Sequence, residues 1–203
     1  MTFAVFALFA AKMAAAEVVI DRSSEIVLRA DAPYATRLAA EELNFFLKGV
    51  LGEPLPVVAQ KADGKTAIAL GGSPGRLAPP CGCEGRVPQP AVSRVPRDRD
   101  GYAVEAAGDV VRIVGNDDDV SDVDATAALP DEAPWQPCFR RGTLFGVYAF
   151  LERFAGVRMY FPGELGTCIP KAERIAVAEG RVEESPAFSV RRYGYADGPV
   201  TKE

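Results

Sequence analysis

Residues 33–51, PYATRLAAEELNFFLKGVL, decide how this chain is read. Placed at 100° per residue, Ala35, Ala39, Ala40, Leu43, Phe46, Leu47, Val50 and Leu51 fill one arc of about 160°. Arg37, Glu41, Asn44 and Lys48 lie opposite. Pro33 suits the first turn, where N–H groups have no helical partner, and Gly49 and Gly52 mark the end. The spacing predicts an amphipathic helix. Tyr34, Leu38 and Phe45 form a second apolar stripe that a helix lying on one sheet does not need.

Outward from this helix, residues 17–30, EVVIDRSSEIVLRA, read as two short strands around an Asp-Arg-Ser-Ser turn. Residues 54–59 and 65–70 read as strands, the second apolar enough for an interior position. Residues 101–115, GYAVEAAGDVVRIVG, read as a hairpin turning at Ala107, Gly108 and Asp109. Residues 143–154 predict a second helix. Leu144, Val147, Tyr148, Leu151 and Phe154 cover about 120° of it, and Phe145 and Phe150 widen the apolar arc to about 220°, enough to need cover on two sides. Residues 157–161 and 174–178 read as the last strands, with a Pro162-Gly163 turn between them, and residues 179–186 as an exit linker. This order predicts an α/β (α+β) sandwich: one mixed β-sheet with two main helices. Residues 73–99, rich in proline, and 116–139, rich in acid, read as insertions.

The 203 residues give room for one ordinary domain with a stub of another. The formal charge is −5. An acidic chain without a basic stripe is a poor binder of nucleic acid or anionic membrane. Histidine is absent, which removes Ser-His-Asp and Cys-His catalysis and His-ligated metal. Residues 2–16, TFAVFALFAAKMAAA, are too short and too interrupted to span a bilayer. They suit a signal peptide, with Ala14 and Ala16 at the cleavage positions, although the first three residues carry no basic side chain. The competing reading is an N-terminal helix packed on the domain. The expected location is secreted or periplasmic. Cys81, Cys83, Cys138 and Cys168 allow three full pairings, and Cys168, in an apolar context, reads equally as a buried thiol.

Several motifs weaken on inspection. Residues 59–66, AQKADGKT, approach a phosphate-loop spelling, but a strand follows instead of the helix the chemistry needs. Residues 71–75, GGSPG, lack the dinucleotide order. Asp117, Asp118, Asp119, Asp122 and Asp124 have calcium-loop charge but not its grammar, so the expectation is a solvated acidic insertion. Glu152, Glu164 and Asp197 are the carboxylates available for acid–base work, and nothing in their spacing pairs them. No catalytic residue, cofactor or metal is assigned.

Three stretches carry a family likeness: Ala39-Ala40-Glu41-Glu42-Leu43 with Phe46-Leu47 and Gly52-Glu53-Pro54-Leu55-Pro56-Val57; residues 141–152, RGTLFGVYAFLE; and residues 156–166, GVRMYFPGELG. Together they resemble the N-terminal α/β domain that precedes the catalytic barrel in alpha-glucuronidase-like glycoside hydrolases and in bacterial beta-hexosaminidases. Met159 stands where such relatives commonly carry Trp. The resemblance implies a domain without chemistry of its own at residues 17–183, followed from 184 to 203 by a linker and the start of a (β/α)8 barrel. The barrel, absent here, would be its partner and would meet the polysaccharide or oligosaccharide substrate. Arg191, in Pro186-Ala187-Phe188-Ser189-Val190-Arg191, falls where hexosaminidase-type barrels bind sugar hydroxyls. The alternative is a stand-alone carbohydrate-binding or surface-interaction module using exposed aromatics, with Trp135 and Tyr102 as candidates. If a partner domain is missing, part of the set Tyr34, Leu38, Phe45, Phe145 and Phe150 should stay accessible.

Overall fold

A computed structural model of the chain describes residues 16–72, 100–118 and 140–186. The strands are β1 Glu17–Asp21, β2 Glu25–Val27, β3 Val57–Val58, β4 Ala67–Leu70, β5 Tyr102–Ala107, β6 Val110–Gly115, β7 Arg158–Met159, β8 Thr167–Cys168, β9 Arg174–Ala178 and β10 Gly180–Glu184. The helices are α1 Tyr34–Leu51 and α2 Gly142–Arg153. Six strands form one sheet in the order β10-β5-β6-β4-β2-β3. Pairs β3–β2, β2–β4 and β4–β6 are parallel, whereas β6–β5 and β5–β10 are antiparallel, so the sheet is mixed as expected.

The register explains the core. Val104 faces Ile113, which faces Leu70; Ala106 faces Val111, which faces Ile68, which faces Ile26. With a period of two, these side chains share one face of the sheet. They belong to a single buried cluster with Leu43, Leu47, Leu144, Val147 and Phe150. Both helices therefore lie on that face. A Cβ on Gly146 of α2 would sit 2.7 Å from Ile113 Cγ2, so glycine is what lets α2 approach β6 this closely.

All eight residues of the main α1 stripe are buried. The helix ends at Gly52, whose φ of 95° permits the left-handed turn and whose N–H reaches the Lys48 carbonyl at 3.0 Å. The hairpin turns at Gly108, with φ 61°.

Four expectations need correction. Residues 180–184 are not linker: they form β10, the sheet's edge, and Val182 pairs with Val104. Their exposed charges hid a strand that packs on one side only. The strand expected at 157–161 is two residues long, paired only with β8. The strands at 17–21 and 25–27 do not share a sheet; β1 pairs with β9 in a separate ribbon whose Val18, Ile20, Ile175 and Val177 join the core. Cys168 is an exposed free thiol, not a buried one. Cys81, Cys83, Cys138, Trp135, Asp197, Arg191 and the expected signal peptide through residue 15 lie outside the described residues.

Candidate docking surface

After α2 the chain reverses at Gly156, φ 72°, and the buried Val157 anchors the next turn by donating its N–H to Leu151 O at 3.1 Å. From there β7 and β8 enclose a tight turn. Tyr160 N–H donates to Gly166 O at 2.8 Å, Gly166 N–H to Gly163 O at 3.1 Å, and the Thr167 hydroxyl to Gly163 O at 3.0 Å. Gly166 is required here, since a Cβ would fall 2.0 Å from the Phe161 carbonyl oxygen. This well-bonded frame holds Leu165 at 96% exposure, Tyr160 at 74% and Phe161 at 58%, with Met159 also exposed. Exposed large apolar side chains grouped on one hairpin make it the candidate interaction surface of the described residues.

The hairpin is tied to α2 and α1. The Arg158 guanidinium donates to Glu152 O at 2.5 Å, placing a cation at the negative end of the α2 dipole. Beyond β8, Ile169 packs on Gly49 and Lys171 donates to Gly49 O at 2.6 Å. Phe45 lies one turn before Gly49 on the same side of α1 and is 65% exposed. Tyr34, Leu38 and Phe145 are half-buried, while Phe150 is fully buried. The accessible-stripe expectation therefore holds for Phe45 most strongly and fails for Phe150.

The last described strand ends at the same end of α2. Glu184 accepts the Tyr102 hydroxyl at 2.6 Å and pairs with Arg153, the residue after Glu152. Burial, then the hydrogen bond and charge of Glu184, push the Tyr102 phenol well above its usual value. The ring lies against Gly146. Tyr102, a candidate for stacking on sugar, is thus engaged at both its ring and its hydroxyl.

Of the carboxylates offered for catalysis, two are described and Asp197 lies outside the described residues. Glu152 and Glu164 are exposed surface residues. Among the described residues no three acidic or sulfur side chains gather as a metal would require. No helix among them is long and apolar enough to cross a membrane. Lys65, of the phosphate-loop-like stretch, donates to Ser23 O at 2.9 Å and precedes β4.

Of the acidic insertion, Asp117 and Asp118 are described and are partly buried rather than freely solvated, while Asp119, Asp122 and Asp124 lie outside the described residues. Asp117 Oδ1 accepts the Thr143 N–H at 2.9 Å and its Oδ2 the Thr36 hydroxyl at 2.8 Å. Burial raises its carboxyl above the usual aspartate range, against the pull of these bonds. Next to it, Asp118 accepts Arg140 N–H and Nε–H, both at 2.7 Å. Partial burial would lift that carboxyl, but the Arg140 bonds and charge outweigh it and hold Asp118 low. Residues 116–118 and 140–142 thus close a neck by Gly142 N–H to Asn116 O and Asp118 N–H to Arg140 O.

Sequence reasoning missed Tyr160, Phe161, Leu165 and Glu184. A signal was present: Phe161 and Leu165 flank Pro162-Gly163 and precede Gly166, so these apolar residues sit inside a turn where no strand register can bury them.

No protein-family model matches the chain, and no curated protein matches it. Among solved structures, the chain is similar to the Streptomyces plicatus N-acetyl-beta-hexosaminidase, with 16% identity and a TM-score of 0.48, over 86% of this chain and 24% of that one. The GH20 beta-N-acetylhexosaminidase from Streptomyces coelicolor A3(2) gives 17% and 0.47 over 86% and 24%. The GH115 4-O-methyl-alpha-glucuronidase BtGH115A gives 11% and 0.45 over 85% and 19%. The chain spans about a quarter of the length of the hexosaminidases and less of the glucuronidase.

Proposed function

We propose that this chain is the non-catalytic N-terminal domain of an exported glycoside hydrolase, alpha-glucuronidase- or hexosaminidase-like, that acts in polysaccharide degradation. Its catalytic barrel would follow on the same polypeptide and cover the hairpin. The observation that carries this reading is the group of exposed Tyr160, Phe161 and Leu165 on a rigid frame, at the end of α2 where Glu184 closes the last described strand. The three sequence stretches that resemble the pre-barrel domain support it, and two of them form α2 and the hairpin. In this reading residues 17–183 are the accessory domain and 184–203 the linker and start of the barrel. Arg191 would bind substrate hydroxyls through its planar guanidinium fork. Residues 1–16 would be removed on export to the periplasm or beyond, leaving Glu17 as the mature N-terminus.

The recombinant 203-residue chain should hydrolyse neither aryl N-acetylglucosaminides nor glucuronosyl xylo-oligosaccharides. Hydrolysis of either by this chain alone would overturn the proposal. A polypeptide extended through the downstream reading frame should protect the amides of residues 158–168 from hydrogen exchange relative to the shorter chain.

One observation favours a second reading, a stand-alone carbohydrate-binding module: Tyr160 and Phe161 are exposed aromatics on a fixed support, as sugar stacking requires. Calorimetry with xylan and chitin oligomers separates the two. Strong binding abolished by Tyr160→Ala favours the module, and weak or no binding favours the accessory domain.

A further inference from the structure

β10 closes one end of the six-stranded sheet, and among the described residues no strand pairs with its outer edge. Its inner edge is held by β5, with Arg181 opposite Glu105, Val182 opposite Val104 and Glu183 opposite Ala103. Side chains alternate between the two faces. Val182 and Glu184 turn to the helix side, where Val104 joins the core and Glu184 meets Tyr102 and Arg153. Arg181 and Glu183 turn to the other face of the sheet.

That other face carries a row of alternating charge. Arg112 of β6 stands opposite Glu105 of β5, and Glu105 stands opposite Arg181. The Arg181 guanidinium donates to Glu105 Oε2 at 3.2 Å and pairs with Glu183 on its own strand. A guanidinium has five N–H donors, more than these two acceptors use. The Arg181 and Glu105 side chains are mostly covered, so a charge brought beside them is weakly screened. The row ends, at the edge of the sheet, on a cation.

The sequence of β10, Gly-Arg-Val-Glu-Glu, is complementary to itself. Turned antiparallel about Val182, a second copy sets its Glu183 opposite Arg181 and its Arg181 opposite Glu183. Val182 then faces the partner's Val182, and Gly180 offers no side chain to obstruct the partner's Glu184. The row continues with alternating sign: Arg112, Glu105, Arg181, the partner's Glu183. A parallel pairing in register would instead set Arg181 against Arg181 and Glu183 against Glu183, which is unfavourable. Charges on an edge strand bar most strands from adding to it. Here the same charges select a second copy of this chain.

We propose that β10 is a self-pairing edge through which two copies of this chain form an antiparallel two-fold dimer, with the sheet continuous across both. The contact is isologous and closes on itself, so it makes a dimer and not a fibre. A five-residue edge is a small interface, and the dissociation constant should be on the order of 10–100 μM. This dimer stands independently of the glycoside-hydrolase reading.

Sedimentation velocity of the 203-residue chain, from about 1 μM to about 1 mM, should show a reversible monomer–dimer equilibrium. Glu183→Lys brings two cations together at both symmetry-related contacts and should raise the dissociation constant about tenfold or more. Arg181→Glu should do the same with two carboxylates. Mixed in equal amounts, the two variants should pair with each other at close to the original affinity, because Arg181 of one then meets Glu183 of the other and the introduced lysine meets the introduced glutamate. A loss of folding in either variant would not produce that recovery. A monomer at every concentration, a dimer that neither substitution weakens, or variants that stay monomeric when mixed overturns the proposal. So does a dimer abolished by Leu165→Ser but not by Glu183→Lys, which would place the contact at the hairpin. If Arg181→Glu, which sets a carboxylate opposite Glu105, does not fold, Glu183→Lys decides alone: about tenfold weakening supports the edge and an unchanged dimer overturns it.

Discussion

Gly115 and Gly142 stand back to back: a Cβ on Gly115 would lie 2.0 Å from the Gly142 carbonyl carbon, and one on Gly142 would lie 2.4 Å from Asn116 N. The last residue of β6 and the first of α2 thus touch backbone to backbone. Gly115→Ala should cost about 2–3 kcal/mol by overpacking, a fall in Tm of roughly 4–12 °C by thermal unfolding. Gly108→Ala has open space around it and only a φ of 61° to accommodate, so it should cost no more than about 1–2 kcal/mol.

Asn44 clamps the segment after α1. Its side chain accepts the Leu55 N–H at 2.8 Å and donates to the Leu55 carbonyl at 2.9 Å. Asn44→Ala leaves both groups without these partners and should lose about 1–3 kcal/mol in urea unfolding. Asn44→Asp keeps the acceptor but sets a carboxylate oxygen against a carbonyl. Its stability should recover at acid pH, where the carboxyl regains a donor.

Phe45 and Phe150 test the division between surface and core. Phe150 is fully buried, whereas Phe45 is mostly exposed. Phe150→Ala should cost about 3–5 kcal/mol. Phe45→Ser and Leu165→Ser should each stay within about 0.5 kcal/mol of the unsubstituted chain while lowering its binding of a hydrophobic dye. A large loss of stability from Leu165→Ser would show that the hairpin belongs to the core.

Tyr102 links stability to alkaline pH. Its phenol is pushed up in the folded chain by burial and by Glu184, so the unfolded chain gives up this proton first. That contribution is fully present below about pH 10 and is lost as pH rises beyond it. Glu184→Gln removes the charge and should lower the phenol's titration, followed by ultraviolet absorbance, toward the free value. Tyr148, raised by burial and by Glu42, should not move.

What could be read in advance follows physical lines. The α1 stripe is long and periodic, and every residue of its main arc is buried. The Gly108 turn and the alternation of Val104, Ala106, Val111 and Ile113 fixed the hairpin. β10 escaped notice because Arg181, Glu183 and Glu184 give an edge strand the composition of a linker. Arg181 pairs with Glu105 of β5, which binds the edge to its neighbour, and with Glu183 on its own strand. The engagement of Asp117 was not legible because one of its hydrogen-bond partners, Thr36, lies 81 residues earlier, and a distance of that kind leaves no local signature. The hairpin at 158–168 was half legible: its residues drew attention by likeness, but their exposure depends on Gly163 and Gly166 bending the backbone out of strand geometry.

The β1–β9 ribbon has a cost during synthesis. Glu17 pairs with Ala178 and Asp21 with Arg174, so the first strand made waits for almost the last. At ~5–20 residues per second, roughly 8–30 s pass between emergence of β1 from the ribosome and that of its partner. Throughout that interval Val18 and Ile20 have no strand to pair with, and the apolar residues of β1 stay open to wrong contacts until residues 174–178 emerge.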